Sequence, residues 1–221
     1  MEVIDPTIIA RKWGTLIAIF NIYGILLAAV FYIKAHLYPT HEGDRRFSSS
    51  PFYDFYMGVE LNPRIFNQHW DVKLFHNGRP GIIGWALIDL SFMALQYRNY
   101  GFVTNSMIIT LVLHMLYIGD FFHHEEWYLR TIDIAHDHFG FYLAWGSAAF
   151  LPTMYTLQAQ YLARSPLELE PISAALILGL GIGGYAIFRS SNNQKDNRTG
   201  RHIKQFFYAQ DGGDFRDTPI I

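Results

Sequence analysis

The stretch FVTNSMIITLVLHMLYIGDFFHHEEWYLRTIDIAHDHFG, Phe102 to Gly140, decides the fold. Its first half, Phe102–Phe122, is apolar over the length a helix needs to cross a bilayer, about 17–25 residues. Its second half, His123–Gly140, holds two Glu, two Asp, four His and one Arg, although only 16% of the whole chain is Asp, Glu, Lys or Arg. A further apolar run starts at Phe139. Charge this close to hydrocarbon is costly unless it pairs, lines a wet cavity or does chemistry. The pattern points to a membrane enzyme rather than a passive anchor.

Working outward, the same length criterion picks five segments: Gly14–Leu37, Gly81–Tyr97, Phe102–Phe122, Phe139–Ala163 and Ile172–Ser190. The expected fold is therefore all-α, a polytopic transmembrane helix bundle of about five spans. The second segment is short, and Pro152 predicts a kink in the fourth. A long polar loop, Tyr38–Pro80, separates the first two, and the tail from Ser191 is polar and expected outside the membrane. Composition agrees: of 221 residues 51% are hydrophobic and 17% aromatic, and the mean hydropathy is +0.10, which suits a lipid bilayer as the main surroundings. A net charge of −2 gives no reason to expect nucleic acid as a partner. The chain has no cysteine, so disulfides and thiolate metal sites are excluded. Glu2 and Asp5 and the length of the apolar run that follows argue against a cleavable signal peptide.

Positive charge orients the spans. Loop Tyr38–Pro80, loop His123–His138 and the tail share one side and carry eleven of the 17 Lys and Arg residues. The other side has Arg11, Lys12, Arg98 and Arg164. The richer side is expected to be cytosolic, and the sequon Asn197-Arg198-Thr199, lying there, is expected unused.

Several motifs carry chemistry or its imitation. YDFYMGVELNPRI (Tyr53–Ile65) reads either as an interfacial loop with a surface pair between Glu60 and Arg64, or as pocket lining. Arg79, in HNGRPGI (His76–Ile82), reads equally as a phosphate fork or a snorkelling cation at a helix end. His123–His124 and His136–His138 lack the clustered histidine boxes of a di-iron centre, so no metal site is expected. His136, Asp137 and His138 remain as polar contacts or acid–base groups. Gly179, Gly181 and Gly184 match G-x-G-x-x-G, but inside an apolar span with no strand before it they read as a close helix-packing face. Tyr117 and Asp120 sit at the end of the third span, where an Asp needs a partner or water.

Six ordered motifs, YDFYMGVELNPRI, KLFHNGRPGIIGWALIDLSF, VTNSM, EEWYLRTIDIAHDHFGFYLAWG, LPTMYTLQAQYL and YAIFRSSNNQKD, resemble the sterol reductase family. That family includes the 7-dehydrocholesterol reductases, the carbon-14 sterol reductases and the lamin B receptor. The resemblance runs from about Pro6 to Asp196, and HNGRPGI with EEWYLRTIDIAHDHFG looks most like the 7-dehydrocholesterol branch.

The resemblance implies a multi-pass enzyme of the endoplasmic reticulum membrane that uses NADPH. Such an enzyme protonates a sterol ring double bond and delivers hydride to the resulting carbocation. By motif, Tyr117 matches the proposed proton donor, with Asp120 and Glu125 as its catalytic neighbours. Lys195 matches a lysine that contacts NADPH; the arginine usual four places later is replaced by Thr199, and Arg198 stands one place early. Glu60, Asn62, Arg79, Asp133, His136 and Asp137 are the expected substrate-pocket residues. Ser147 stands where relatives often carry an acidic residue. The implied partners are the sterol, the bilayer and other sterol-biosynthesis enzymes. Residues 1–221 correspond to the central part of the family domain, with its N-terminal and C-terminal parts expected to be missing and little activity expected from this chain alone. The alternative is a non-catalytic sterol-binding or interaction protein of the same fold, or an inactive truncated product.

Overall fold

The computed structural model describes residues 6–129 and 131–209, with side chains placed for residues 11–126, 128–129 and 131–194. Two compact units are present, Met1–Leu169 and Glu170–Ile221. In the first, helix α1 (Pro6–Leu37) leads into a loop holding the short α2 (Pro51–Met57). A two-stranded antiparallel ribbon follows, β1 (Arg64–Ile65) on β2 (Trp70–Asp71), with Arg64 opposite Asp71. Next come α3 (Val72–His76), a π-helical segment Asn77–Ile83, α4 (Gly84–Tyr100) and α5 (Asn105–His123). The charge-dense segment forms α6 (Glu125–Tyr128) and α7 (Ile132–Ala135). The chain then returns through α8 (Phe141–Trp145), a second π-helical segment Gly146–Phe150, α9 (Leu151–Met154) and α10 (Leu157–Arg164).

Local chemistry sets the ends of these elements. Ser50 caps α2 by accepting from the Tyr53 amide, with Pro51 in the first turn where no N–H is needed. Asp71 caps α3 at the Leu74 amide, 2.9 Å, and Thr104 caps α5 at Met107. α4 stops at Gly101, whose φ of 81° is the left-handed conformation that glycine takes without strain. Gly58 ends α2 and lies backbone to backbone against Gly140; a Cβ on either would collide with the main chain of the other.

The four passes of the first unit run alternately up and down. Trp13, near the start of α1, meets Phe92 of α4 edge-on at 5.1 Å. At the same end Gln96 of α4, fully buried, donates to the Leu162 carbonyl at 2.7 Å and accepts from the Thr104 amide at 2.9 Å. At the opposite end Lys34 of α1 reaches Glu60 in the long loop, and α5 runs into the charge-dense segment. α1 and α8 pack closely because Gly24 has no side chain: a Cβ there would stand 2.9 Å from the Trp145 Cα. Next to that contact the Trp145 indole donates to Asn21 at 2.7 Å.

The mostly helical architecture is as expected, and the described residues bear out three of about five expected spans. Three helical stretches are long and apolar enough to cross a membrane: Arg11–Leu37, Asn105–His123 and Pro171–Gln194. The second expected span, α4, is shorter and carries Asp89, Gln96 and Arg98. The fourth is divided into α8, a π-helical segment, α9 and α10 around Pro152, whose missing N–H breaks the ladder. Thr153 and Thr156 bond back to carbonyls one turn earlier across that break, at 2.6 and 2.8 Å. The second unit, described by itself, is one helix, α11, from Pro171 to Ala209. It continues well beyond Ser190, where its apolar part ends.

Candidate active site

Charges at the loop face are paired off. Glu60, expected in a surface pair with Arg64, is instead buried. Its two oxygens take Lys34 Nζ at 2.9 and 3.1 Å and the Thr40 amide at 2.7 Å. Arg64 faces Asp71 at 3.9 Å across the strand pair. The physical reason is topology: residue 60 sits under the last turn of α1, so its cation partner is 26 residues away in sequence rather than four. Arg79, read from the sequence as a phosphate fork or a snorkelling cation, is paired with an acidic side chain. Both its terminal nitrogens bond the Glu125 carboxylate, and its guanidinium lies 5.3 Å from the Phe122 ring centre. Glu125, expected beside the proton donor, is thereby engaged as the acceptor of that fork.

Lys73 is the least expected residue of this face. It is almost wholly buried, and its ammonium donates to the carbonyls of Ile134 at 3.0 Å and Asp137 at 2.6 Å. Burial holds its pKa down at about 8, against the opposing pull of Asp71, Asp137 and Asp133. It thus pins the turn that carries Asp133, His136 and Asp137. Asp133 is half-buried and pushed above the usual carboxylate range by burial and by Asp137, with Lys73 opposing. The Asp137 carboxylate accepts from the Tyr142 hydroxyl, and His136 is exposed. His138 is pushed down by burial and by Arg46 and Lys73, and its Nε2 is buried without a hydrogen-bond partner, as is Asn62 Oδ1. Nearby, His76 Nδ1–H donates to the Val72 carbonyl at 2.8 Å, so Nε2 accepts from the Tyr23 hydroxyl at 2.6 Å.

A second polar group lies between α4 and α5. Asp89 is fully buried and its Oδ2 accepts from His114 Nδ1 at 2.7 Å. The ring of Trp85, one turn earlier on α4, lies 4.9 Å from His114, 5.8 Å from Tyr117 and 5.1 Å from Tyr155. Trp85 Nε1 and Asp89 Oδ1 are both buried without a hydrogen-bond partner. One turn beyond Tyr117, Asp120 is buried and bonded to His124 at 3.2 Å. His114, Tyr117 and Asp120 follow one another at intervals of three residues on one face of α5, and His124 caps its end four residues further on.

Of the expected catalytic residues, Tyr117 and Asp120 share this face, while Glu125 lies past its end in the grip of Arg79. Of the expected pocket residues, Asp133, His136 and Asp137 share the turn held by Lys73, whereas Glu60 is tied to α1. Positions 195 and 198 lie on α11, but the side chains of Lys195 and Arg198 are outside the described residues. Ser147 is buried and turns its hydroxyl back to Leu143 O at 2.9 Å, so no acidic group occupies that place. Asp89, His114 and Lys73 were not picked out by motif. An isolated Asp and an isolated His inside apolar helices are signals in their own right, and the cost of burying charge would have found both. Among the described residues no group of three His, Cys, Asp or Glu side chains is gathered as metal ligands would be.

This mostly helical chain, with a line of titratable side chains along one helix, resembles known proteins in sequence. It matches the Ergosterol biosynthesis ERG4/ERG24 family over residues 1–208, and it belongs to that family. Among individual relatives, it is 51% identical over 192 residues to a 7-dehydrocholesterol reductase of Danio rerio, covering 87% of this chain and 40% of the relative. A probable 7-dehydrocholesterol reductase of Acanthamoeba polyphaga mimivirus is 50% identical over 192 residues, with 87% and 42% covered. A delta(14)-sterol reductase of Methylotuvimicrobium alcaliphilum is 41% identical over 192 residues, with 87% and 44% covered. The chain therefore spans about two fifths of the length of the curated relatives it matches.

Proposed function

We propose that this chain carries the proton-donating part of an NADPH-dependent sterol reductase acting on the ring double bond between carbons 7 and 8. The observation that carries the reading is Tyr117. It lies on an apolar helix, packed on Trp85, with Asp120 one turn toward the charged segment. A sterol alkene accepts no hydride until one ring carbon is protonated. A phenol titrates near about pH 10 and so holds a proton at neutral pH, ready to give to a developing carbocation. Identity near one half to 7-dehydrocholesterol reductases favours the 7,8 bond over the 14,15 bond.

Bound NADPH would supply the hydride that completes the reduction. At the loop face Lys34, Lys73 and Arg79 are already committed to Glu60, to two carbonyls and to Glu125. By the family motif, Lys195 and Arg198 are the positions to hold the cofactor's phosphates, Lys195 as a point charge and Arg198 as a fork. They stand three residues apart on α11, within one helical turn. In this reading all five segments cross the endoplasmic reticulum membrane, with the charge-rich loops and tail on the cytosolic side, where NADPH and neighbouring sterol-biosynthesis enzymes are met. Asp133, His136, Asp137 and Asn62 line the polar rim of the sterol pocket.

The test is reduction by microsomes holding the full-length protein. With NADPH and 7-dehydrocholesterol, the ultraviolet absorbance of the conjugated diene should fall as cholesterol accumulates. Sterol binding without any turnover would overturn the enzymatic reading in favour of a sterol-binding protein. Turnover of a 14,15-unsaturated sterol alone would move the reaction to the other bond.

A further inference from the structure

We propose that the Asp89–His114 pair is the proton store that recharges Tyr117 after each turnover, an inference that rests on Tyr117 being the acid. The Asp89 carboxylate accepts from His114 Nδ1 at 2.7 Å, which fixes the proton on Nδ1 and leaves Nε2 free to take up and release a second one. Asp89 is fully buried between apolar helices. A lone carboxylate there is expensive, and a pair that has gained one more proton is net neutral. Burial therefore ties the Asp89 carboxylate to its hydrogen-bond partner, His114.

One indole ring borders both His114 and Tyr117. His114 and Tyr117 are three residues apart on one face of α5, and the ring of Trp85 covers both, at 4.9 and 5.8 Å. Trp85 Nε1, a donor, and Asp89 Oδ1, an acceptor, are four residues apart on α4, both buried and both without a partner. This combination suits one water molecule or hydroxyl that accepts from the indole and donates to the carboxylate. Tyr155, 5.1 Å from Trp85, borders the same cluster. A pair serving only to hold α4 against α5 has no need of an open acceptor beside an open donor.

The step balances. The Tyr117 O–H bond breaks as a C–H bond forms at the ring carbon, leaving a phenolate; bound NADPH would supply the hydride that closes the cation. The His114 Nε2–H bond then breaks and the Tyr117 O–H bond reforms. Water returns one proton to His114. Each cycle consumes one solvent proton and one hydride.

The experiment is rapid-mixing kinetics on the full-length enzyme in lipid nanodiscs, with His114→Gln and Asp89→Asn, both of which keep a hydrogen bond in the pair. Each variant should form about one product per enzyme at close to the parent rate, then continue about tenfold or more slowly, because general-acid steps are worth about 10²–10⁴ in rate. In His114→Ala, added imidazole should restore the steady state, an effect that a structural role would not produce. An unchanged steady-state rate in His114→Gln overturns the proposal. So does a first turnover slowed as much as the later ones, with no rescue by imidazole. Tyr117→Phe separates the underlying reading: if its first turnover matches the parent, the acid is misassigned and the store fails with it. If that first turnover is lost while His114→Gln runs at the parent rate, only the store fails.

Discussion

Glu60 and Asp89 are both buried carboxylates, and their surroundings treat them differently. Glu60 has each oxygen engaged, by Lys34 and by the Thr40 amide. Asp89 has one oxygen on His114 and the other without a partner, beside an indole N–H that also lacks one. The first arrangement ties the long loop to the end of α1 and has nothing left to give. The second keeps hydrogen-bonding capacity unspent in an apolar setting, where it is costly. Buried charge at the loop face holds the frame together, and buried charge between α4 and α5 is placed for chemistry.

The contrast can be broken most sharply at Glu60. Removing one partner of a buried pair strands the other charge and costs about 3–5 kcal/mol. Glu60→Ala should therefore lower the thermal unfolding midpoint of the detergent-solubilised protein steeply, or prevent its recovery. A shift no larger than that of a surface substitution would deny the pair its anchoring role.

Lys73 gives a pH test of the same frame. Its pKa is held at about 8, below the ordinary 10.5, so between these values the unfolded chain binds more protons than the folded one. Stability should then rise with pH across that window, by up to about 3 kcal/mol, and show no such gain below pH 8. Lys73→Met should flatten the rise; an unaltered slope would assign it to other groups.

Tyr117→Phe probes the chemical region without disturbing the frame. Turnover should fall about 100-fold or more, while sterol affinity stays within about threefold because one hydroxyl is lost. Turnover within threefold of the parent would return the acid role to Asp120 or Asp133. On α11, Lys195→Ala should raise the NADPH Michaelis constant roughly 10- to 100-fold, the worth of a charge-assisted contact of about 1.5–3 kcal/mol. An unaffected constant would make Lys195 an ordinary helix-end cation. The smallest effect belongs to Glu42, which is 73% exposed and pairs with Arg45. Glu42→Ala should cost about 0.2–1 kcal/mol in the same unfolding measurement, as exposed pairs do. A loss as large as that at Glu60 would erase the distinction between buried and exposed pairs.

Apolar run length alone was enough to place α1, α5 and the first part of α11, since a helix is the economical way to satisfy backbone polar groups in hydrocarbon. It served less well at α4 and between Phe141 and Arg164, where polar residues and Pro152 interrupt the pattern. Tyr117 and Asp120 were legible because their spacing along one helix is local. Pairings were not: Arg79 with Glu125, Lys34 with Glu60 and Lys73 with the carbonyls of Ile134 and Asp137 join residues 26 to 64 positions apart.

By itself the sequence determined the helical class, the membrane setting, the family and the helix on which Tyr117 and Asp120 lie. Each follows from composition, hydrophobic run length or ordered motifs, all of which act locally along the chain. Only the tertiary structure decided which charges are consumed as struts and which stay available. Hydrogen bonding and ion pairing act over about 3–4 Å and depend on which side chains meet after the passes pack. His114 beside Asp89, twenty-five residues away on the neighbouring helix, is a product of that packing.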